Sequence, residues 1–233
     1  MAEVVRQKKI SPVALAEAHL ARISEINPKI NAFVQVDIEG ALRQARAAEN
    51  AITLGQKAGP LHGVPISIKA SIEVAGFRCE AGTKLRAGYC AKNDAPLVAR
   101  LRKAGAIILG TTNTPELLMA WETDNLLYGR TNNPWDLTRT AGGSSGGEAA
   151  AIASRCSAAG VGSDGGGSIR VPAHFCGICG FKPTDARSLI RATLARRRGQ
   201  ITDEEIPPIV GFTLTPHGRP VVTYLGYACK ARA

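Results

Sequence analysis

The chain has 233 residues, 45% of them hydrophobic and 21% charged, which is the balance of a globular protein that can bury a sizeable core. Aromatic residues make up only 5% and no apolar run is long enough to span a bilayer, so the composition argues against a base-stacking nucleic-acid surface and a transmembrane protein. The amino terminus shows no apolar signal segment. We therefore expect an intracellular protein, cytoplasmic or in peripheral contact with a membrane, whose six cysteines are reduced.

Helical and strand patterns alternate in the first half of the chain. A serine followed by proline, and apolar residues at helical spacing, predict an amphipathic helix over residues 11–28 that begins at Ser11 and ends at an Asn-Pro pair. A second helix is predicted over residues 39–52. Alternating apolar residues then predict a strand over residues 64–69, with Lys69 at its end.

A further helix and strand follow. Asp94 is the expected cap of a helix that stops at Gly105, and residues 106–109 are a short buried strand. This order of elements predicts an α/β protein, in which helices cover a sheet.

Cys176 and Cys179 form a Cys-x-x-Cys motif, which occurs in zinc sites and in redox pairs. A zinc site needs four ligands, and no second pair of cysteines or histidines at ligand spacing accompanies this one. A redox pair would open a helix in a thioredoxin-like pattern. We favour two small core residues and predict no metal or other cofactor.

Residues 141–184 place serines among glycines at two positions, and three ordinary interpretations apply. Residues 143–147 match the Gly-x-Ser-x-Gly nucleophile elbow centred on Ser145, although the preceding segment is polar and turn-rich rather than a buried strand. A phosphate-binding loop would need spacings that are not present. Simple loops would explain one glycine cluster but not two that each contain serine.

Acyl transfer without histidine accounts for both clusters. A serine hydroxyl needs a base to become a nucleophile, and a lysine can serve if its surroundings keep the amine neutral. Lys69 is the candidate, because a lysine at the end of an apolar strand either extends to solvent or takes part in chemistry.

The segments GVPISIKAS, YGRTNNPWDL, GGSSGGEAAA and GVGSDGGGSIRVPAHF resemble the amidase signature family over roughly residues 11–184. The resemblance implies a three-layer α/β/α fold with a mixed central sheet, of which this chain has the N-terminal half. It also implies a triad of serine, serine after a cis peptide bond, and lysine. By position in the motifs, Lys69 is the general base, Ser144 the relay and Ser168 the nucleophile, while Ser145 is a neighbour.

The resemblance assigns further roles around the nucleophile. Four backbone N–H groups would form the oxyanion hole, those of Gly165, Gly166, Gly167 and Ser168. Asp164 would support this loop, and we interpret Arg170 as its structural ion-pair partner rather than as a substrate contact. Gly165 stands where the family is expected to have Ile or Thr, which adds backbone freedom.

Within the family, the sequence is most similar to fatty-acid amide hydrolases of the second type, with the A subunits of glutamyl-tRNA amidotransferases close behind. We therefore expect a serine-dependent hydrolase of fatty-acid amides or similar carboxamides, whose partner is a small amide rather than nucleic acid. The alternatives are an inactive truncated fragment and an A-like amidotransferase subunit.

The family pattern stops after Thr184. Residues 1–184 are predicted to be the amidase signature domain, and residues 185–233 an unrecognised basic tail, disordered or aberrant. Its Arg-rich segment 191–200 is more typical of a solvated face than of a site for nucleic acid or anionic lipid. Because a missing half would complete the sheet, we expect the strand nearest to it to lack a partner.

Overall fold

The computed structural model describes residues 1–182 and the backbone of residues 223–228. The α-helices in this part are Ala2–Arg6 (α1), Pro12–Ile30 (α2), Ile38–Thr53 (α3), Pro96–Lys103 (α4), Gly146–Ala153 (α5) and Arg170–Cys176 (α6), and two 3-10 turns cover Lys84–Arg86 and Glu116–Leu118. The strands are Phe33–Val36 (β1), Pro65–Lys69 (β2), Ile107–Thr112 (β3), Asn132–Asn133 (β4), Asp136–Thr140 (β5), Ala159–Asp164 (β6), Cys179–Phe181 (β7) and Thr223–Ala228 (β8). Across these residues, no helix combines the length and the apolar character that crossing a bilayer requires.

Six strands form one sheet in the order β1-β3-β2-β6-β8-β7. Strand β1 runs antiparallel to β3 and the other neighbours are parallel, which confirms the prediction of a mixed sheet. Strands β4 and β5 pair with each other in a separate hairpin. The sheet places β2 between β3 and β6, with strands on either side of both.

Strand β8 comes from the segment that was predicted to be an unrecognised tail. It pairs with β6 from Gly160 to Asp164 and with β7 on its other side. Strand β6 therefore has a neighbour on each side, whereas β7 lies at the edge of the described sheet, and the expectation of a strand without a partner next to a missing half stays a prediction. The Arg-rich segment 191–200 and Cys229 lie outside the described residues.

Apolar cores lie on both faces of the sheet, because successive side chains of a strand point to opposite faces. In β3, Ile107 and Leu109 pack in one core with residues of α2, α3 and α5. Ile108 packs in the other core with residues of α4. This arrangement of helices, sheet and helices confirms the predicted three-layer architecture.

Helix α2 begins where predicted and ends later than predicted. The Ser11 side chain accepts hydrogen bonds from the first turn, as an N-cap does. Pro28 lies inside the helix, which continues to Ile30 and ends at Asn31 in the left-handed conformation, with φ 50°. A proline removes only one N–H donor, and Asn27 secures the helix end by accepting from Phe33 N at 2.7 Å.

Asp94 does not cap helix α4, although the sequence pattern favoured that role. The cap position is Ala95, which makes no side-chain hydrogen bond to the helix. Asp94 instead accepts from Ala75 N at 2.8 Å and from Arg102 Nε at 2.8 Å. Its carboxylate thus joins the preceding turn to the last turn of the helix, and a proline at the first helical position makes a cap less necessary.

Strand β2 is buried on both faces, although its alternating sequence is typical of a half-exposed strand. Ile66 and Ile68 face the core that contains α4. Ser67 and Lys69 point to the opposite face, where α5 covers them. The fold therefore encloses a lysine at the carboxyl end of a central strand.

Candidate active site

Lys69 is fully buried at the end of β2. Its Nζ lies 2.7 Å from Ser144 Oγ, 2.9 Å from Ser145 Oγ and 3.0 Å from Ser163 Oγ. The side chain therefore does not extend to solvent, and three serine hydroxyls surround its amine. Ser163, the residue before Asp164 on β6, was not identified from the sequence.

Burial lowers the pKa of Lys69 from 10.5 to about 7, because an ammonium group without water is unfavourable. The nearby charges of Glu148 and Asp164 oppose this effect and raise the pKa. Near neutral pH, a large fraction of Lys69 is therefore the neutral amine, which is the form that can accept a proton.

The hydrogen bonds of the serine cluster give the Ser144 hydroxyl a direction. Ser145 Oγ donates its hydroxyl proton to Ser163 O at 3.3 Å, so this proton is not directed to Lys69. A neutral amine has two hydrogens to donate and one lone pair that accepts. Among the described residues, the Ser144 hydroxyl has Lys69 as its only recorded partner. The consistent assignment is that Ser144 donates to the Lys69 lone pair, while Lys69 donates to Ser145 and Ser163.

Two threonines hold the loop that carries Ser144. The peptide bond between Gly143 and Ser144 is cis, as the resemblance implies. Thr114 Oγ1 donates to Ser144 O at 2.9 Å. Thr123 Oγ1 accepts from Gly146 N at 3.0 Å. No local pattern in the sequence indicates either threonine, because both come from a separate loop.

Ser145 lies in a setting that differs from a nucleophile elbow. It is fully buried at the cap position of α5, with φ −100° and ψ 40°. The preceding strand, β5, belongs to the separate hairpin and is largely exposed. An elbow requires a buried strand of the main sheet at this point, so the geometry disfavours Ser145 as the nucleophile.

Ser168 lies on the loop between β6 and α6 and is partly exposed. Its carbonyl oxygen accepts from Ser145 N at 3.1 Å, which holds the loop against the serine cluster. Its hydroxyl makes no recorded hydrogen bond within residues 1–182 and 223–228, so the contact with Ser144 that a relay requires is not formed here. Catalytic hydrogen bonds are often long before substrate binds.

Asp164 organises this loop from a fully buried position. Its carboxylate accepts from Gly167 N at 2.7 Å and from Ile169 N at 3.1 Å. Arg170 contributes three more hydrogen bonds, from its backbone N at 3.2 Å, from Nε at 3.0 Å and from Nη2 at 2.9 Å. Although burial acts in the opposite direction, the hydrogen bonds from Arg170 and the backbone lower the pKa of Asp164 to about 2. Arg170 therefore forms an ion pair with Asp164, and its role as a structural partner rather than a substrate contact stays a prediction.

The backbone donors of the loop differ from the expected set. The Gly167 N–H is directed to Asp164 and is not free for an oxyanion, because a buried carboxylate accepts the amide three residues ahead of it. The N–H groups of Gly166 and Ser168 have no recorded acceptor in the described part of the chain. Gly165 directly follows the last residue of β6. The candidate oxyanion donors are thus Gly166 and Ser168, with Gly165 beside them.

Glu148 is a second buried ionisable group close to Lys69. Ser67 Oγ lies 2.6 Å from its Oε2 and Thr112 Oγ1 lies 2.7 Å from its Oε1. Burial raises the pKa of Glu148 to about 8, although the two hydroxyls and Lys69 act to lower it. In the sequence, Glu148 is part of a segment that carries the resemblance, and the signal for a separate role is that it is the one acidic residue in a helix of small apolar residues.

The Cys-x-x-Cys motif contributes little to this site. Cys176 is fully buried in an apolar core and Cys179 is half-buried on β7. In the part of the chain that the structure describes, no group of three or more His, Cys, Asp or Glu could hold a metal ion.

Comparisons with known proteins agree on one family. Residues 14–195 match the family model described as Amidase. The A subunit of the glutamyl-tRNA(Gln) amidotransferase of Carboxydothermus hydrogenoformans is 45% identical over 182 residues, which cover 78% of this chain and 38% of that protein. Fatty-acid amide hydrolase 2 of Homo sapiens is 44% identical over 192 residues, covering 79% of this chain and 36% of that protein.

A solved structure of a fatty acid amide hydrolase has the same fold. It superposes with a TM-score of 0.80 at 32% identity, covering 82% of this chain and 34% of that one. The chain therefore spans little more than a third of the length of these relatives. The matched residues include the buried lysine, both glycine-flanked serine clusters and the strands that bring them together, and on this basis the chain belongs to the amidase signature family.

Proposed function

We propose that this chain carries the catalytic residues of a serine-dependent amide hydrolase. Lys69 is the general base, Ser144 the proton relay and Ser168 the nucleophile. One observation carries the proposal: a fully buried lysine, with its pKa lowered to about 7, lies 2.7 Å from the hydroxyl of a serine whose proton has no other recorded acceptor among the described residues.

The reaction follows from these positions. Ser168 Oγ attacks the amide carbonyl carbon while its proton passes to Ser144 Oγ, whose own proton passes to Lys69 Nζ. The oxyanion that forms accepts hydrogen bonds from the N–H groups of Gly166 and Ser168. The C–N bond then breaks, and the leaving amine takes a proton back through Ser144. Water hydrolyses the resulting ester by the same route, with Lys69 again as the base.

The substrate class is proposed as fatty-acid amides or similar carboxamides. The similarity to the human fatty-acid amide hydrolase 2 supports this choice. The similarity to the A subunit of an amidotransferase supports a second candidate, a protein that uses the amide of an amino acid and works with partner subunits. The two identities, 45% and 44%, are too close to decide between them.

The nucleophile is tested by labelling the purified chain with a fluorophosphonate probe, followed by peptide mapping. We expect the probe to modify Ser168, because the proposed oxyanion donors surround it, and we expect Ser168→Ala to abolish labelling. Modification of Ser145 would favour the elbow interpretation. A chain that is not labelled at any serine would support the inactive fragment.

The substrate class is tested by competition. A long-chain fatty amide and glutamine are each added before the probe, and the labelling rate of Ser168 is measured. A fatty-amide hydrolase is protected by the fatty amide, whereas glutamine protects a protein of the amidotransferase type. Acetamide is the control for amides that lack either side chain.

A further inference from the structure

Three central strands form a closed cradle around the carboxyl group of Glu148. Thr112 on β3 and Ser67 on β2 each place a hydroxyl within 2.7 Å of one of its oxygens. Gly160 on β6 is opposite Ser67 in the register, and any Cβ at this position would collide with Glu148 Oε2. The cradle thus accommodates one carboxyl group and leaves no room for a larger one.

The register of the sheet places this cradle against the stem of Lys69. Ser67 and Lys69 are two residues apart on β2, so their side chains point to the same face. Thr112 is the register partner of Lys69 on β3. A group that contacts both Ser67 and Thr112 is therefore immediately beside Lys69. The charge interaction between Glu148 and Lys69 agrees with this placement.

Catalysis creates a charge in this buried place. When Lys69 accepts the relayed proton, an ammonium group forms on a side chain that is 0% exposed. A buried ammonium without a compensating charge is strongly unfavourable. Two groups face it with negative charge, Glu148 from α5 and Asp164 from the end of β6, while its hydrogen-bond partners are neutral hydroxyls. Asp164 is already paired with Arg170. The pKa of Glu148 is raised to about 8, but the nearby Lys69 charge acts to lower it, so proton uptake by Lys69 favours the carboxylate form of Glu148.

We propose that Glu148 is a positioning residue of the amidase site, whose carboxyl group joins β2 to β3 and supplies the negative charge that balances the Lys69 ammonium group during turnover. This inference rests on the proposed function. Glu148 does not touch the substrate. It acts through Lys69, so its removal changes how strongly the base holds its proton.

The test is the pH profile of fluorophosphonate labelling at Ser168 in the native chain and in Glu148→Gln, which keeps the shape and removes the charge. Because the charge of Glu148 raises the pKa of Lys69, its loss lowers that pKa further. The acid limb of this profile is the range in which the labelling rate falls as Lys69 becomes protonated, near pH 7 in the native chain. We expect this limb to move to lower pH by about 0.5 to 1 unit. The plateau rate should fall about tenfold, since a weaker base accepts the proton less readily.

Two variants separate this role from simple packing. Glu148→Asp keeps the charge, and we expect it to return the acid limb toward its native position. Ile152→Val removes one methyl group from the same buried helix, and we expect it to lower stability without moving the limb. An unchanged limb in a folded Glu148→Gln chain would overturn the inference.

A second pair of variants decides the question if Glu148→Gln does not fold. Thr112→Val removes one hydrogen bond that lowers the pKa of Glu148, whereas Thr112→Ser retains it. We expect the acid limb to move to lower pH in the valine variant only, and equal limbs would overturn the inference. If the native chain is labelled at a pH-dependent rate but the acid limb does not move in the variants, the inference fails and the proposed function is retained. Absent labelling in the native chain overturns both.

Discussion

The two halves of the site are built in different ways. The base half, Lys69 with Ser144 and Ser145, is fully buried under α5 at the centre of the sheet. The nucleophile half is a glycine-rich loop, where Ser168 is partly exposed and Gly166 has no neighbour that a Cβ would meet. The base half is organised by several strands, and the loop of the nucleophile depends mainly on the carboxylate of Asp164.

This difference separates two requirements of the chemistry. A lysine becomes a base at neutral pH only where water is excluded, so it needs a preformed enclosure. A nucleophile must remain accessible to substrate, so its loop is open and takes its shape from a few strong hydrogen bonds. Apart from loss of Ser168 itself, substitutions in the base half should therefore change activity most, and substitutions in the loop should change stability as well.

Among variants that keep the nucleophile Ser168, the largest expected effect is that of Lys69→Ala, which removes the base. We expect the labelling rate of Ser168 to fall about 10³-fold. In the native chain the lowered pKa means that the active, neutral amine is lost as pH falls through about 7, so the acid limb should disappear in the variant.

The matched control for this variant is Lys84→Ala, which removes a lysine from an exposed 3-10 turn and should leave the profile unchanged. A native rate that does not depend on pH would contradict the role of Lys69.

The next effect separates the two adjacent serines that both contact Lys69. Ser144→Ala removes the proposed relay, and we expect a loss of about 10²-fold in labelling rate. Ser145→Ala removes a hydrogen bond but no proton path, and we expect a loss of about tenfold or less. Labelling assays on the two purified variants, quenched at set times, measure the ratio of their labelling rates. A larger loss for Ser145 than for Ser144 would reverse the assignment.

Asp164→Asn tests how strongly the loop depends on one carboxylate. We expect the variant to lose about 2 to 3 kcal/mol of unfolding free energy in urea, because charge-assisted hydrogen bonds to Arg170 and the backbone are weakened. Since the folded pKa is lowered to about 2, the contribution of Asp164 is present above its ordinary pKa of 3.8 and is lost as pH falls through about 2.

The control for this variant is Asp136→Asn, whose exposed ion pair with Arg139 should contribute no measurable stability. Equal losses in the two variants would show that the loop does not depend on Asp164.

The smallest effects come from adjacent glycines of the loop. Gly167 has a φ of 114°, which a side chain rarely adopts, and a Cβ there would lie 3.1 Å from Val171 Cγ2. We expect Gly167→Ala to cost about 1 to 2 kcal/mol. Gly166 is outside the left-handed region with open space around it, and Gly166→Ala should stabilise the chain by about 0.4 to 1 kcal/mol. Urea unfolding of both variants measures these changes in unfolding free energy. Equal changes in the two variants would contradict the described loop conformation.

Local signals in the sequence predicted much of the fold. The Ser11 cap, the strand ending at Lys69 and the alternation of helices and strands are properties of neighbouring residues, and the structure has them. The sequence could not show that Asp94 is used by a distant turn, or that the Gly167 amide is directed to Asp164. Which partner a polar group takes depends on packing between elements that are far apart in the chain.

The same limit applies to the site. Motif resemblance indicated Lys69, Ser144 and Ser168, and the structure brings the first two into contact but leaves the hydroxyl of the third unpaired within the described residues. Thr114 and Thr123 lie outside the segments that carry the resemblance, and Glu148 lies inside one without an assigned role, although each holds part of the site through a side-chain contact with a distant segment. Their roles are visible only once the sheet has been assembled.

The glycine of β6 beneath Glu148 has a consequence for how this chain can vary. Because a Cβ at Gly160 would collide with Glu148, position 160 cannot accept a side chain while position 148 keeps its glutamate. Enlarging position 160 therefore requires a shorter side chain at position 148, which moves or removes the buried acid. A larger residue at position 160 should therefore occur among homologues together with a shorter residue at position 148. A double variant of this kind should fold where Gly160→Ala alone does not.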